Sequence, residues 1–186
     1  MVGSFQKDGV GWKDGLEPKL VKGPDVLVSA LERVAAEVDD LHVLLTGPAR
    51  GYVRRELDRL GIPHTHVLAR DRAELARAYH ALDVYVVASR QEGGPKGVLE
   101  SMASGLPLVT TRVGQAQEIA VDGDSALVVD VDDPEAIAHA VARIRGDRAL
   151  AASLVASGRA TAERYAYERL DTAWDGLLRQ LVTRDG

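Results

Sequence analysis

Short apolar runs alternate with amphipathic stretches along most of the chain. The runs carry Val, Leu or Ala at nearly every position rather than at every second position. Such runs indicate strands that are buried on both faces, as in the parallel sheets of α/β proteins. The predicted strands lie at 1–5, 41–46, 66–68, 83–87, 106–110 and 126–129.

The stretches between these strands repeat their apolar residues at helical spacing and are long enough to be crossover helices. Strand and helix in regular alternation predict a parallel sheet with helices packed against it. After residue 146 the pattern is helical only. We therefore expect one α/β domain, 1–186, with a helical tail at 147–186. The predicted helices are 24–38, 50–60, 72–81, 96–104, 134–145, 147–164 and 167–183.

Prolines and glycines mark the expected helix ends. A proline is tolerated in the first helical turn, and a glycine in the left-handed conformation often ends a helix. The prolines at such starts are Pro24, Pro95 and Pro134, and the glycines at such ends are Gly61, Gly105 and Gly146.

The composition narrows the classes of function. The 186 residues include no cysteine, which excludes zinc ribbons, iron–sulfur clusters and thiol nucleophiles and is compatible with a reducing cytosol. No run approaches the roughly eighteen apolar residues of a membrane span, and we expect no signal peptide. The net charge of −5 argues against a nucleic-acid partner.

The segment 6–23 is the longest one without clear periodicity. It holds four of the five lysines, together with three acidic residues. Long loops in compact domains are usually either functional or disordered. Two interpretations therefore stay open, a solvated loop and a segment with a role in binding.

The most concentrated chemistry follows the strand 83–87. That strand leads into a turn with Gly93 and Gly94 and then into a helix that begins near Lys96. Glycines let the backbone approach a ligand, and the N–H groups and dipole of a helix start favour a phosphate. Glu100, one turn into this helix, can accept hydrogen bonds from a diol such as ribose. In an open parallel sheet this turn borders the crevice where ligands bind.

This segment resembles a known enzyme family. Glu92-Gly, a helix containing Glu100, and then Ala-Ser-Gly-Leu-Pro-Leu-Val and Thr-Arg-Val-Gly resemble the retaining GT-B glycosyltransferases of family four, the glycosyl transferases group one. In that family two glutamates separated by seven residues mark the nucleotide-sugar donor site. The resemblance covers about 1–165 and implies a Rossmann-like, doubly wound sheet of about six strands, which is half of a GT-B fold. Other matching pairs are Lys22-Gly23, Thr46-Gly47, Val113-Gly114 and Asp122-Gly123.

The resemblance also implies roles for individual residues. Glu92 would be the catalytic residue beside the donor sugar, Glu100 would hold the ribose hydroxyls, and Lys22 would neutralise the diphosphate. Backbone N–H groups at the helix start would share the phosphate contact, and the backbone at 68–70 would meet the base. No metal or other cofactor is implied, because cationic side chains take the metal's role. The implied donor-binding residues are Lys7, Lys19, Lys22, Leu68, Ala69, Arg70, Gly93, Gly94, Lys96, Gly97, Val98, Leu99 and Glu100.

Two departures from the family pattern stand out. Ser4 occupies the position where the family usually has arginine, so Lys7 or Lys19 could take that role. Gly94-Pro95 replaces the common Phe-Gly, and a proline lacks one N–H donor.

The length matches only one half of a GT-B enzyme. The resemblance implies a C-terminal domain that binds a nucleoside-diphosphate sugar, such as a UDP-sugar, for transfer of a hexose-type sugar with retention. The acceptor half would be an N-terminal domain missing from this chain, so alone the chain should bind nucleotide weakly and transfer little. The expected location is the cytoplasm, or the inner face of the membrane through the missing half. Two alternatives stay open: a non-catalytic scaffold that dimerises, and a nucleotide-sugar epimerase-like domain.

Two further patterns involve histidines and the last helices. His64 and His66 point to the same side of an extended segment, but no cysteine or third ligand accompanies them, so we interpret them as strand or surface histidines rather than metal ligands. The last helices carry an apolar stripe that should either pack on the domain or form a homodimer. Its members are Tyr165, Tyr167, Leu170, Trp174, Leu177, Leu178 and Leu181.

Overall fold

Six parallel strands form a single sheet in the computed structural model, which describes residues 1–182. The side chains of Glu168, Leu170, Thr172, Ala173, Gln180, Leu181 and Val182 lie outside the description. The strands are β1 (Val2–Ser4), β2 (Val43–Thr46), β3 (His64–Val67), β4 (Val84–Val87), β5 (Leu108–Thr111) and β6 (Leu127–Val129). Their order across the sheet is β3-β2-β1-β4-β5-β6. The predicted doubly wound, Rossmann-like α/β fold of six strands is confirmed.

The helices follow the strands in the predicted alternation. They are α1 (Pro24–Glu37), α2 (Gly51–Leu60), α3 (Arg72–His80), α4 (Lys96–Ala103), α5 (Ala116–Ile119), α6 (Pro134–Gly146), α7 (Arg148–Arg164) and α8 (Tyr167–Val182). The short helix α5 and a 3₁₀ turn at Leu20–Lys22 were not predicted. Both are too short to show a periodic apolar pattern.

The position of each strand in the sheet decides how it is buried. All residues of β2, β4 and β5 are buried, as the continuous apolar runs predict. The edge strand β3 instead alternates, with His64 and His66 half-buried and Thr65 and Val67 exposed. β3 begins two residues earlier than the predicted strand 66–68, because the apolar run on which the prediction rested overlaps only the end of β3.

Most of the helix boundaries agree with the proline and glycine signals. Gly61 and Gly105 end their helices with positive φ, and Pro24 and Pro134 occupy first turns. Pro95 lies just before α4 rather than inside it. The prediction for Gly146 is wrong, since it is the last residue of α6 and does not have positive φ. Asp147 makes the break instead, because its carboxylate accepts from the Leu150 N–H at 2.9 Å and starts α7.

Each face of the sheet has its own hydrophobic core. On one face α1, α2 and α6 pack on the strands, and Leu154 of α7 reaches this layer and is fully buried. On the other face α3, α4 and α5 pack around Tyr79, Tyr85 and Met102. Both faces of the central strands are therefore covered, as a doubly wound fold requires.

The tail departs from part of its prediction. Tyr165 is half-buried against the core on the α4 face. In α8, however, Tyr167 and Trp174 are 76% and 60% exposed, and Leu177 and Leu178 are exposed as well. Packing of these four side chains on the domain is therefore not found; Leu170 and Leu181 lie outside the described side chains. Within residues 1–182, no helix combines the length and the apolar character needed to cross a bilayer.

Candidate functional site

The predicted chemistry converges where the strand order changes direction. Strands β1 and β4 are neighbours in the sheet; the chain after β1 continues to β2 on one side, and the chain after β4 continues to β5 on the other. Their carboxyl ends deliver Phe5 and Gln6 on one side and the segment 88–95 on the other. In doubly wound folds, ligands bind in the crevice outside the strand ends at this switch point.

Lys22 and Glu92 meet in this crevice. Lys22 Nζ donates to Glu92 Oε1 at 2.5 Å, and the two side chains are only 23% and 10% exposed. The hydroxyl of buried Ser89 donates to the same oxygen at 2.9 Å. Gln6 adds a third link, since its Nε2 donates to the Lys22 carbonyl oxygen at 3.0 Å. The structure thus joins two predicted site residues through Gln6 and Ser89, which sequence reasoning missed.

Arg90 fastens the turn that carries Lys22. Its guanidinium donates to the Leu20 carbonyl at 2.7 Å and to both carboxylate oxygens of Asp25 at 2.7 Å. It also donates to Asp132 at 2.5 Å, while its own N–H donates to the Val21 carbonyl at 3.0 Å. The bonds from Arg90 lower the pKa of Asp25. The 3₁₀ turn and the Glu92 segment are therefore held as one unit, which no sequence motif signalled.

Two glycines allow the backbone segments around Glu92 to touch. A Cβ at Gly23, whose φ is +60°, would lie 1.9 Å from the Ala88 carbonyl oxygen. A Cβ at Gly114, whose φ is +46°, would lie 2.1 Å from the Glu92 carbonyl oxygen. Both glycines belong to pairs that carried the family resemblance, and close approach gives them a physical reason.

Glu100 lies one turn into α4 beside an aromatic cluster. The Tyr79 hydroxyl donates to Glu100 Oε2 at 2.9 Å. The Tyr79 ring packs against the rings of Phe5 and Tyr85, with centroids 4.7 and 5.3 Å away. Burial raises the pKa of Tyr85 to about 12. Gly97 makes room for this cluster, because a Cβ there would lie 2.4 Å from the Tyr85 hydroxyl oxygen.

The start of α4 is arranged around a buried proline. Pro95 precedes the helix, and the exposed Lys96 is its first residue. The Val98 N–H, which was expected to share a phosphate contact, donates to the Pro95 carbonyl at 3.0 Å. Leu99 is half-buried, and the exposed turn residues Gly93 and Gly94 precede Pro95. The Gly93 carbonyl accepts from the Gln115 N–H at 2.8 Å, which fixes the turn next to the β5 exit.

The remaining predicted donor-binding residues lie in the segment 6–23 and directly after β3. The Lys7 ammonium lies 3.7 Å from the ring centroid of Trp12, and Lys19 is exposed. Leu68 and Ala69 follow the end of β3, where Leu68 is exposed and Ala69 half-buried. The Arg70 N–H and guanidinium both donate to Glu74, at 2.8 Å for the N–H.

The segment 6–23 is structured rather than a simple solvated loop. Asp8 is fully buried, and its carboxylate lies 3.0 Å from Nε of the equally buried Arg50. Arg50 also donates to the carbonyls of Ser4 and Thr46 at 2.6 and 3.0 Å, which ties the segment to the ends of β1 and β2. Burial raises the pKa of Asp8 to about 6, although the Arg50 charge acts in the opposite direction.

The same segment covers the beginning of α2. The Gly51 and Tyr52 N–H groups donate to the carbonyls of Asp14 and Gly15 at 2.5 and 2.9 Å. At the outer end of the segment, Trp12 is 83% exposed.

The histidines make ordinary polar contacts. His66 Nε2 lies 2.8 Å from the Gly47 carbonyl oxygen, and His42 Nε2 lies 2.8 Å from the Thr65 hydroxyl. Within residues 1–182, apart from the undescribed α8 side chains, His, Asp and Glu nowhere form a group of three or more that could hold a metal ion.

Comparison with solved structures finds the same architecture in other proteins. A sucrose-phosphate synthase from Thermosynechococcus elongatus matches with a TM-score of 0.80 and 26% identity, over 98% of this chain and 46% of that one. HepE from Anabaena, in complex with UDP-glucose, matches with a TM-score of 0.80 and 19% identity, over 96% of this chain and 48% of that one. The fold is therefore the Rossmann-like unit of GT-B glycosyltransferases.

Sequence comparison identifies the family. The model described as "Glycosyl transferases group 1" matches residues 15–147. The D-inositol 3-phosphate glycosyltransferase of Xylanimonas cellulosilytica is 33% identical over 175 residues, which are 89% of this chain and 41% of that protein. This chain belongs to the glycosyl transferases group 1 family, as the motifs around Glu92 and Glu100 indicated. It spans about two fifths of the length of such relatives.

Proposed function

We propose that this chain is the donor-binding domain of a glycosyltransferase that uses a nucleoside-diphosphate sugar. The observation that carries the proposal is the meeting of Lys22 and Glu92 at the switch point, at 2.5 Å. They are 70 positions apart in the chain and are brought together next to the helix that carries Glu100. This arrangement supports a site in which Lys22 meets the diphosphate, Glu92 the sugar and Glu100 the ribose.

In the proposed mechanism, positive charge stabilises the departing diphosphate. Lys22 supplies a full charge, and the dipole of α4, with Lys96 at its first residue, supplies more. Such charge is most useful where negative charge develops during bond cleavage, and here that is the diphosphate oxygen that leaves the sugar. The sugar is then bonded to the acceptor on the face from which the diphosphate left, which retains its configuration.

Glu92 is proposed to lie beside the donor sugar. Both of its described contacts, from Lys22 and Ser89, are made to Oε1. These contacts fix the carboxylate, and Oε2 is the oxygen that we propose accepts from hydroxyls of a hexose-type donor. Fixed acceptors of this kind orient a substrate without reorganising during the reaction.

UDP is the first nucleotide to test, since HepE was solved with UDP-glucose and shares this fold. The acceptor groups would come from a second, N-terminal half, so we expect little transfer by this chain alone. Family membership supports this transferase interpretation over the scaffold and epimerase alternatives. We expect the enzyme to work in the cytoplasm.

Calorimetric titration of the chain with UDP, GDP and ADP tests the proposal. We expect saturable binding of one nucleotide and a roughly tenfold or greater loss in Glu100→Gln, because a carboxylate that bonds hydroxyls contributes about 1.5–3 kcal/mol. Glu37→Gln, an exposed change at the end of α1, is the matched control and should bind like the wild type.

Lys22→Met extends the titration to the phosphates. It should weaken the nucleoside diphosphate strongly and leave the weak binding of the nucleoside unchanged, because only the former carries the charge that Lys22 meets. A folded wild-type chain that binds none of the three nucleotides at millimolar concentration would contradict the proposal.

A further inference from the structure

Tyr79 is a buried polar side chain that the proposed mechanism does not use. It lies near the end of α3, only 2% exposed, in the core layer between α3 and α4. Its hydroxyl donates to Glu100 Oε2 at 2.9 Å. A phenol hydroxyl in a core usually finds a hydrogen-bond partner, but here the partner is the side chain proposed to bind ribose.

The ring of Tyr79 is held in place on two sides. Phe5 and Tyr85 pack against it with centroid distances of 4.7 and 5.3 Å and tilted rings. Tyr85 is fixed in turn, since its hydroxyl oxygen accepts from the Phe5 N–H at 3.1 Å. Phe5 directly follows β1, so the cluster connects the crevice to the sheet. A ring packed in this way leaves its hydroxyl little freedom.

The surroundings also keep the Tyr79 proton in place. Burial raises the pKa of Tyr79, and the neighbouring Tyr85 and Glu100 act in the same direction. Tyr79 therefore keeps its proton and remains a hydrogen-bond donor at neutral pH. The terminal torsion of a glutamate is broad, so an unrestrained carboxylate samples many orientations. A fixed donor on Oε2 selects one of them and leaves Oε1 for another partner.

We propose that Tyr79 is a positioning residue that orients the Glu100 carboxylate toward the ribose hydroxyls, so that the site prefers ribonucleotides over 2′-deoxyribonucleotides. This inference rests on the proposed function, because it requires Glu100 to contact the ribose. The ribose ring holds the oxygens of two hydroxyls on adjacent carbons close together, so a carboxylate of fixed orientation should bind the diol better than a rotating one. A nucleotide without the 2′-hydroxyl gains less from that orientation.

The test compares Tyr79→Phe with the wild type by calorimetry, using UDP and 2′-deoxy-UDP, or the corresponding pair for GDP or ADP if the wild type binds one of those. Tyr79→Phe keeps the packed ring and removes only the hydroxyl. We expect the ribonucleotide Kd to rise by about two- to tenfold, with little change for the deoxynucleotide, so that the ratio of the two Kd values falls. The matched control is Tyr165→Phe, a tyrosine of the same core layer at the end of α7, which should leave the ratio unchanged.

A double-mutant comparison separates orientation from stability. In a Glu100→Gln background, Tyr79→Phe should have no further effect on ribonucleotide binding, because residues that act through one contact are not additive. An equal loss for both nucleotides in Tyr79→Phe, or an unchanged ratio, would overturn the inference. A wild-type chain that does not distinguish the two nucleotides, together with an unaffected Glu100→Gln, would instead show that the proposed ribose contact is wrong.

Discussion

The contact between Gly23 and the end of β4 allows a quantitative test of how the site is held together. A Cβ at Gly23 would lie 1.9 Å from the Ala88 carbonyl oxygen, and Cβ contacts under 3.0 Å are essentially never found. In Gly23→Ala the two backbone segments must therefore separate by about 1.1 Å. Gly61 is the matched control, because its φ of +67° is nearly the same as the +60° of Gly23 while a Cβ there meets nothing within 4 Å.

Both substitutions carry the cost of a left-handed residue with a side chain, about 1–2 kcal/mol. Gly23→Ala adds the cost of forcing packed backbone apart, about 1–3 kcal/mol by comparison with overpacked cores. We therefore expect Gly23→Ala to lower the free energy of unfolding by about 1–3 kcal/mol more than Gly61→Ala. At this chain length such a difference lowers the melting temperature by about 2–4 °C for each kcal/mol.

Urea denaturation followed by circular dichroism measures this difference, and calorimetry on the folded variants measures its effect on binding. Because the shift moves Lys22 away from Glu92, Gly23→Ala should also raise the nucleotide Kd, whereas Gly61→Ala should leave it unchanged. Equal losses of stability in the two variants would refute the reasoning, since they would show that the approach of Gly23 to Ala88 contributes nothing.

Two other predictions concern the segment 6–23 and the tail. The folded pKa of Asp8 is about 6 against an ordinary 3.8, so the folded state binds this proton more tightly than the unfolded state. As the pH rises from about 4 to about 6, the free energy of unfolding of the wild type should therefore fall relative to that of Asp8→Asn, by up to about 3 kcal/mol. Urea denaturation across that pH range measures the two free energies. A difference between them that does not change with pH would argue against a titrating Asp8. Because α8 exposes apolar side chains that include Trp174, we expect a mass that rises with protein concentration in sedimentation experiments and a constant mass for Trp174→Ser.

The sequence predicts the fold where the local pattern and the tertiary environment agree. The central strands β2, β4 and β5 are buried on both faces, so the continuous apolar runs identified them. The pattern was less informative for β3, because the half-buried positions of this edge strand are histidines rather than apolar residues. The Gly146 prediction failed because the Asp147 side chain caps the start of α7 and separates it from α6. Gly146, the residue before Asp147, therefore does not need a positive φ.

The candidate site shows a similar division. Lys22, Glu92 and Glu100 could be selected because their family has a recognisable spacing of residues. The contacts of Gln6, Ser89 and Tyr79 could not, since a serine or tyrosine gives no signal of its partner until the sheet brings distant segments together. Arg90 illustrates the point, because its partners Asp25 and Asp132 are 65 and 42 positions away in the chain. The predicted cytoplasmic location and the roles of all the predicted site residues, Lys22, Glu92 and Glu100 included, stay predictions.

The carbonyl groups that accept from the first N–H groups of α2 make this helix start unavailable to an anion. A chain of repeated strand–helix units presents several helix starts at one sheet edge, and each could in principle attract an anion. At α2 the Gly51 and Tyr52 N–H groups are already bonded to Asp14 and Gly15. The segment 6–23 thereby occupies one of these helix starts and makes the otherwise similar units unequal. Under the proposed function, the diphosphate then binds at the start of α4, and Lys22 of the 3₁₀ turn before α1 meets its charge.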